Sequence, residues 1–284
     1  MDDRPIGLIA GGGRLPALEA AGIRAAGRRV VCVTIGEQYD QDLPGLCDGF
    51  ARAGIARPGR WVRLMKRWGA QQAVMVGVVQ KTRMYDPVGI VRSLPDLRAI
   101  RLWYRVLRHD RRSQTALTAL ADELSNNGVE LIDTTRYIPQ HMATPGVLTR
   151  RQPSASQMAD ITFGWPILMR MNDLDIGQAI AVKDRDVIAV EAIEGTDGMI
   201  QRAGALCKSG GWVLIKGPKP DKDRRFDVPT VGVKTIETLK AAGGSCLAVA
   251  AGSVILAEKE QVLAAADQAG IAVIGMEHDA VGPE

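Results

Sequence analysis

The sequence predicts an α/β protein of two domains. We expect a doubly wound, Rossmann-like parallel sheet in the N-terminal domain and a mixed α/β C-terminal domain. The chain has 284 residues, whereas one domain usually has about 100–200. Hydrophobic residues make up 46% and charged residues 24%, which is typical of a folded globular chain. Apolar runs alternate with helical patterns, as in parallel sheets covered on both faces.

The N-terminal domain is predicted to occupy residues 1–136. Its strands are recognised as short, continuous apolar runs, and its helices as longer stretches with helical periodicity. Asn127-Gly128 suits a left-handed helix end. The predicted strands are 6–10, 30–35, 73–79 and 129–132, and the predicted helices are 15–26, 61–68, 95–109 and 113–126.

Residues 137–153 are predicted to link the domains, because this stretch has three prolines, Gly146 and no clear period. A mixed α/β catalytic domain is expected over 154–284, with a hairpin turn at Asp184-Arg185-Asp186. Its predicted strands are 179–182, 187–191, 212–215, 246–250 and 271–274, and its predicted helices are 155–164, 198–208, 233–242 and 259–269.

The composition restricts the kind of partner and the cellular compartment that we expect for this protein. The net charge is +4 and aromatics are only 4%, which favours an anionic small ligand or anionic surface over nucleic acid as the partner. The four cysteines show no CxxC spacing, so we expect a reducing compartment. No signal peptide is expected, because the N-terminus is acidic and lacks an apolar core. No membrane span is expected, because the longest low-charge run, 246–257, is shorter than the about 20 residues that a bilayer requires.

A glycine turn follows the first predicted strand. Gly11, Gly12 and Gly13 precede Arg14 and a helix, an arrangement in which backbone amides and the helix dipole can hold a phosphate. Pro16 stands where the dinucleotide-binding fingerprint has its third glycine. The turn is therefore either a phosphate site or only a tight strand-to-helix connection.

A second candidate site lies at the exit of the strand predicted over 187–191. Glu194 and Asp197 place two carboxylates in one short turn, and a hard cation such as Mg²⁺ prefers oxygen ligands. Strand exits are also where open α/β sheets bind ligands. The alternative is that Thr196 or Asp197 merely caps the next helix.

A charged loop follows the strand predicted over 212–215. Five basic and three acidic side chains occupy residues 216–227. Alternating cations and carboxylates provide charge neutralisation and a water-orienting or metal-binding acid, which phosphoryl transfer needs. Lys216, Arg224 or Arg225 are the candidate cations and Asp227 is the candidate acid. A solvated loop that serves only solubility is the alternative.

The helix predicted over 95–109 is basic. Arginines recur on one face and are interleaved with apolar residues and Trp103. Such a face is usually only solvated, but it can also bind anionic lipid headgroups. The arginines are Arg98, Arg101, Arg105, Arg108 and Arg112.

Five segments together resemble the UDP-2,3-diacylglucosamine pyrophosphatases of the LpxI type, a family of the lipid A pathway. The resemblance runs over nearly the whole chain and is densest after Asp173. The EGTD and DRRFDxP elements are specific evidence for this family, whereas the glycine turn alone would be weak evidence. The segments are IAGGGRLP at 9–16, DIGQAIAVK at 175–183, AVEAIEGTD at 189–197, KGPKP at 216–220 and DRRFDVPTVG at 223–232.

The resemblance implies a cytoplasmic hydrolase that cleaves the diphosphate of UDP-2,3-diacylglucosamine, giving UMP and 2,3-diacylglucosamine 1-phosphate (lipid X). It also implies Mg²⁺ or another divalent cation, a homodimer, and Asp227 as the catalytic acid. The resemblance and the basic helix together lead us to expect peripheral contact with the inner face of the inner membrane. The predicted catalytic residues are Asp227, Asp223, Lys216 and Arg225; the predicted substrate-binding residues are Gly11, Gly12, Gly13, Arg14, Gln178, Thr196 and Arg224; and the predicted metal ligands are Glu194, Asp197 and Asp227.

Two alternatives from other classes stay open. A nucleotide-binding oxidoreductase of the Rossmann type would use the first strand and the glycine turn, but Pro16 counts against it. A non-catalytic lipid-binding protein would use the basic helix, but it leaves the EGTD turn and the Asp227 loop unexplained.

Overall fold

The chain folds into two compact units. A computed structural model describes residues 3–35, 39–78, 95–110, 113–218, 223–226 and 228–277. The N-terminal unit comprises Met1–Ile138 with Asp223–Asp227, and the C-terminal unit comprises Pro139–Lys222 with Val228–Glu284. Both units are α/β, so the predicted fold class is confirmed.

The N-terminal unit alternates strands and helices. Short helices of other types lie at Leu43–Leu46 (3₁₀) and Trp103–Leu107 (π). In chain order the main elements are β1 (Ile6–Ala10), α1 (Leu15–Ala25), β2 (Val30–Thr34), β3 (Gly49–Arg52), α2 (Pro58–Trp68), β4 (Gln72–Val76), α3 (Leu97–Leu102), α4 (Ser113–Ser125) and β5 (Glu130–Leu131).

The sheet of this unit has the order β3-β2-β1-β4-β5, and these strand pairs are parallel. This order matches the first five positions of the 3-2-1-4-5-6 strand order of a Rossmann sheet. The sequence did not predict β3, because this strand is half-exposed and ends in Arg52, so it has no continuous apolar run. The carboxyl ends of the parallel strands lie at one edge, which carries the residues that follow β1, β4 and β5.

The C-terminal unit has a longer mixed sheet. A 3₁₀ helix at Pro139–His141 precedes it. In chain order the main elements are β6 (Gly146–Val147), α5 (Ala155–Asp173), β7 (Ala179–Lys183), β8 (Asp186–Val190), α6 (Gly195–Leu206), β9 (Trp212–Lys216), β10 (Thr230–Val231), α7 (Val233–Ala241), β11 (Gly244–Ala250), β12 (Ile255–Leu256), α8 (Lys259–Ala269) and β13 (Ala272–Met276).

Strand directions in the C-terminal sheet position its candidate site. The order is β6-β13-β11-β9-β7-β8, while β10 and β12 pair separately. β9, β11 and β13 are parallel to one another, and β7 runs antiparallel to both β9 and β8. The carboxyl ends of β8 and β9 therefore lie at the same edge as the amino end of β7.

Several helices differ from their predicted bounds. The helix α2 begins at Pro58, three residues before its predicted start at Trp61. The sequence placed a helix end at Gly164, but α5 continues to Asp173 with Pro166 inside it. Gly164 serves close packing instead, because a Cβ there would lie 2.5 Å from Ile215 Cδ1 on β9. The next helix, α6, begins at Gly195, three residues before its predicted start at Gly198.

The compact units also divide the chain differently from the predicted domains. Most of the stretch 137–153 belongs to the C-terminal unit, where β6 pairs with β13. Segment 223–227, predicted to be part of the C-terminal domain, belongs to the N-terminal unit. Phe226 accounts for this, since its side chain is buried in the N-terminal core with Ile9, Val31 and Trp61.

Candidate functional site

Lys216 lies in a chain of hydrogen bonds in the C-terminal unit. It is the last residue of β9 and is only 4% exposed. Its Nζ donates to Thr196 Oγ1 (2.8 Å), and the Thr196 hydroxyl donates to Glu191 Oε1 (2.9 Å). Two predicted site residues, Lys216 and Thr196, are thus in contact. Thr196 uses its hydroxyl for Glu191, and the N-cap of α6 is Glu194, so the capping alternative for Thr196 is not what is observed.

The backbone around these residues is tightly packed. A Cβ on Gly177 would lie 2.1 Å from the carbonyl oxygen of Glu191. The Gln178 carbonyl accepts a hydrogen bond from the Gly217 amide (3.1 Å), and Asn172 donates to the Gly217 carbonyl (2.9 Å). Gln178 therefore lies at the same sheet edge as Lys216, and its buried Oε1 has no hydrogen-bond partner among the described residues.

Glu194 and Asp197 face cations. Arg202 forms an ion pair with Glu194, and this hydrogen bond holds the pKa of Glu194 below its usual value. Asp197 pairs with Lys234 at 3.0 Å, which raises the pKa of Lys234. Within the described ranges, no group of three or more His, Cys, Asp or Glu side chains is placed to hold a metal ion. Glu194 and Asp197 do not fit a metal site on their own, and their assignment as ligands stays a prediction.

The glycine turn of the N-terminal unit packs against the exit of β4. The Gly11 and Gly12 amides donate to the carbonyls of Val76 (2.8 Å) and Val78 (2.9 Å). A Cβ on Gly11 would lie 2.7 Å from backbone that follows β4, so this approach requires glycine. Two of the three glycine amides thus have backbone partners, whereas Gly13, with φ of 90°, is on the exposed part of the turn.

Arg14 is engaged by two carboxylates. Its Nη1 contacts Asp40 at 2.8 Å and Asp42 at 3.0 Å. The hydrogen bond from Arg14 is the main reason why the pKa of Asp40 lies below its usual value. Pro16 stands in the first turn of α1, where a missing amide hydrogen is tolerated. An anionic ligand would have to compete with these two acids for Arg14.

Arg224 is attached to the residues that follow β5. Its carbonyl accepts hydrogen bonds from the Thr134 amide (3.0 Å) and hydroxyl (2.9 Å). Its Nη2 donates to Thr135 Oγ1 (2.7 Å), and its Nε lies 3.4 Å from Asp133 Oδ2. These contacts place Arg224 at the carboxyl edge of the N-terminal sheet, the edge at which the glycine turn also lies.

Asp223 and Arg225 form a bidentate ion pair. Arg225 Nε donates to both carboxylate oxygens (3.0 and 2.9 Å), and Nη2 donates to Oδ2 (2.6 Å). The pair lowers the pKa of Asp223 and raises that of Arg225. A carboxylate held in this way is a weak proton acceptor near neutral pH. The geometry favours a role for Asp223 in orienting Arg225.

Phe226 fastens the segment 223–226 to the core. Its side chain is 1% exposed and packs with buried residues of the N-terminal sheet and of α2. Asp227, the predicted catalytic acid, is the next residue and lies outside the described residues. Its predicted role therefore rests on the sequence.

Sequence reasoning missed several residues of these sites. Glu191 belongs to one of the motifs but was given no role, and Asp133 and Thr135, which follow the strand predicted over 129–132, were given none either. Glu19 was read as one more residue of α1, yet it is fully buried, and burial raises its pKa to about 8, with a further contribution from Asp133. An acid at a helix position that otherwise faces the core was the only available signal.

Comparisons with known proteins agree with this architecture. The LpxI N-terminal domain family matches residues 5–141, and the LpxI C-terminal domain family matches residues 144–274. A UDP-2,3-diacylglucosamine pyrophosphatase LpxI of Caulobacter vibrioides is 31% identical, over 96% of this chain and 98% of that protein. Both domains are thus matched in order and almost end to end, and the chain belongs to the LpxI family.

Proposed function

We propose that this protein is a hydrolase of lipid A biosynthesis that cleaves the diphosphate of UDP-2,3-diacylglucosamine, giving UMP and 2,3-diacylglucosamine 1-phosphate (lipid X). The observation that carries the proposal is the 31% identity, over nearly the full length of both chains, to the Caulobacter vibrioides pyrophosphatase. The contacts of Lys216, Thr196, Arg224 and Arg225 support it, because they provide oriented cations and a polar anchor.

The cations address the main barrier to this reaction. A diphosphate diester repels an incoming hydroxide because both are negatively charged, and pre-oriented cations stabilise the charge that builds up at the transition state. In the C-terminal unit, Lys216 is buried and held by Thr196. In the N-terminal unit, Arg225 is held by Asp223, and Arg224 is held by Thr135. Lys216, Arg224 and Arg225 each stay a proposed phosphate-binding cation of its own unit.

Asp227 is the acid that we assign to the attacking water. A carboxylate within hydrogen-bond reach can orient the water and accept its proton. Phe226, fixed in the core, provides a rigid neighbour for it. The proposed substrate contacts stay Gly11, Gly12, Gly13, Arg14, Gln178 and Thr196, and Gly13 is the most exposed glycine of the turn.

A divalent cation, Mg²⁺ in the first instance, remains part of the proposal. Mg²⁺ is usually bound by one or two carboxylates together with substrate phosphates, rather than by a cage built only from protein. Asp227 and the phosphate oxygens of the substrate would hold it. Glu194 and Asp197 stay proposed ligands that would first have to leave Arg202 and Lys234. When bound, the cation would neutralise phosphate charge.

The basic helix region supports a peripheral position at the inner face of the inner membrane. Trp103 and Tyr104 are 43% and 61% exposed and lie beside exposed arginines, a combination that suits anionic headgroups. In the described part of the chain, no helix is long and apolar enough to cross a bilayer. We further propose a cytoplasmic homodimer. Sedimentation of the purified protein alone tests the homodimer, and co-sedimentation with anionic vesicles tests the membrane contact.

Phosphorus products provide the direct test of the activity. The purified protein is incubated with UDP-2,3-diacylglucosamine, with Mg²⁺ or with a chelator, and ³¹P NMR follows UMP and lipid X. We expect both products with Mg²⁺. If no UMP forms with any divalent metal ion, the proposed activity is wrong. Equal rates with the chelator would remove the metal from the proposal, and ¹⁸O-water would identify the attacked phosphorus.

Asp227→Ala tests the assigned acid. We expect turnover to fall by about 10²–10⁴-fold, the usual contribution of a positioned acid or base, while substrate binding is retained. Asp186→Asn is the matched control, because Asp186 is an exposed acid at the hairpin end of β8. A near-native rate for Asp227→Ala would remove this residue from its role.

A further inference from the structure

Glu191 has no role in the reaction as proposed so far, yet it is buried beside the proposed machinery. It follows β8, is 7% exposed and accepts the hydrogen bond of the Thr196 hydroxyl. We infer that Glu191 is a positioning residue that orients the Lys216 ammonium through the Thr196 hydroxyl. This inference rests on the proposed function for its kinetic consequence, but the hydrogen-bond chain can be tested without it.

The chemistry of the three groups gives the chain one direction. A lysine ammonium only donates hydrogen bonds, whereas a hydroxyl has one donor and can also accept. Since Lys216 Nζ lies 2.8 Å from Thr196 Oγ1, the threonine oxygen accepts there. Its single proton is then directed to Glu191 Oε1 at 2.9 Å. The carboxylate thereby selects the hydroxyl rotamer that presents a lone pair to the lysine.

Burial makes this arrangement more than a surface contact. Lys216 is 4% exposed and Glu191 is 7% exposed, and buried charges are costly unless they are compensated. Glu191 Oε2 is buried without a hydrogen-bond partner in the described structure. An apolar side chain of similar size would often pack at no loss of stability. The carboxylate is therefore better explained by its effect on the cation than by a contribution to stability.

Rigid backbone holds the carboxylate in place. The Glu191 amide donates to the Ala179 carbonyl (2.9 Å), and the close approach of Gly177 fixes the Glu191 carbonyl. The neighbouring acids of the same turn face other partners, because Glu194 pairs with Arg202 and Asp197 pairs with Lys234. Glu191 is thus the acid of this turn that receives the Thr196 hydroxyl.

NMR of the lysine ammonium groups tests the chain directly. A buried, hydrogen-bonded ammonium exchanges its protons slowly, so a ¹H–¹⁵N cross-peak for Lys216 is expected in the full chain at neutral pH, assigned by its loss in Lys216→Met. Glu191→Gln and Thr196→Val should shift or broaden this peak. Thr196→Ser and Asp186→Asn should leave it in place. Absence of the peak from the unmodified protein, or an unchanged peak in Glu191→Gln, would overturn the inference. If Glu191→Gln does not fold, Thr196→Val decides.

Kinetics then separates positioning from a structural role. Glu191→Gln should lower kcat for UDP-2,3-diacylglucosamine about 10–100-fold and change KM less than about threefold, because a misoriented cation acts mainly in the transition state. In a Lys216→Met background, Glu191→Gln should cause no further loss of kcat, since coupled residues are not additive. Independent losses in the double variant would refute positioning through Lys216.

The two proposals fail in different ways. An intact ammonium signal with no UMP formation would leave the hydrogen-bond chain standing and reject the activity. Normal UMP formation by Glu191→Gln would keep the activity and reject the positioning role.

Discussion

Glu19 should make the stability of this protein fall as the pH rises. The side chain lies on α1, is fully buried, and neither carboxyl oxygen has a hydrogen-bond partner in the described part of the chain. Burial raises its pKa from 4.5 to about 8, and the charge of Asp133 adds to this effect. In the folded protein Glu19 is therefore protonated at neutral pH. Glu19→Gln keeps a neutral side chain of similar size at all pH values.

The size of the effect follows from the two pKa values. Above pH 4.5 the unfolded chain loses the Glu19 proton, whereas the folded chain retains it up to about pH 8. Across this window the folded state binds more protons, so the free energy of unfolding falls by about 1.4 kcal/mol per pH unit. Between pH 5 and pH 7.5 the loss amounts to about 3 kcal/mol. Glu19→Gln should not show this loss.

Urea unfolding followed by circular dichroism at several pH values between 5 and 7.5 measures the effect. The stability of Glu19→Gln relative to the unmodified protein should rise by about 3 kcal/mol over that interval. Glu130→Gln removes an exposed acid of the same unit and should show no such rise. A difference between Glu19→Gln and the unmodified protein that is independent of pH would refute the assignment of Glu19 as a buried, protonated acid.

Two further predictions concern packing. Phe226→Ala should lower the free energy of unfolding by about 3–5 kcal/mol, because it empties a buried aromatic site. Phe226→Leu should lower it by less than half of that amount. Equal stabilities of the two variants in urea would contradict the role of Phe226 as an anchor. Gly177→Ala should cost about 1–3 kcal/mol, since its Cβ would meet the Glu191 carbonyl oxygen at 2.1 Å. Gly45→Ala, with open space around its Cβ position, is the control, and an equal cost for both would contradict the close approach at Gly177.

Continuous apolar strands made much of the fold predictable. β1, β2 and β9 are buried along their whole length, so each is a continuous hydrophobic run that can be predicted from the sequence. β3 was missed because an edge strand with one exposed end needs no apolar run. The predicted end of α5 at Gly164 was wrong, because a glycine that allows close helix–sheet packing cannot be distinguished in the sequence from one that ends a helix.

The site was predictable only as a set of segments. Lys216 and Thr196 were singled out separately, and the structure brings them into contact because β8 and β9 end at the same edge of the sheet. Arg14 and the two carboxylates that hold it are more than 25 residues apart in sequence, so no local pattern reports their pairing. Local motifs identify the kinds of groups present, but not which charges are already neutralised.

The sequence by itself determined the α/β class, the two-domain organisation and, through five motif-bearing segments, the resemblance to one family, because apolar periodicity and local motifs are properties of neighbouring residues. Tertiary structure alone decided that residues 223–227 join the N-terminal unit, that Glu19 is buried without a partner, and that Glu191 faces Lys216 through Thr196. Each of these depends on burial or on contact between residues distant in sequence, and both quantities exist only after the chain has packed.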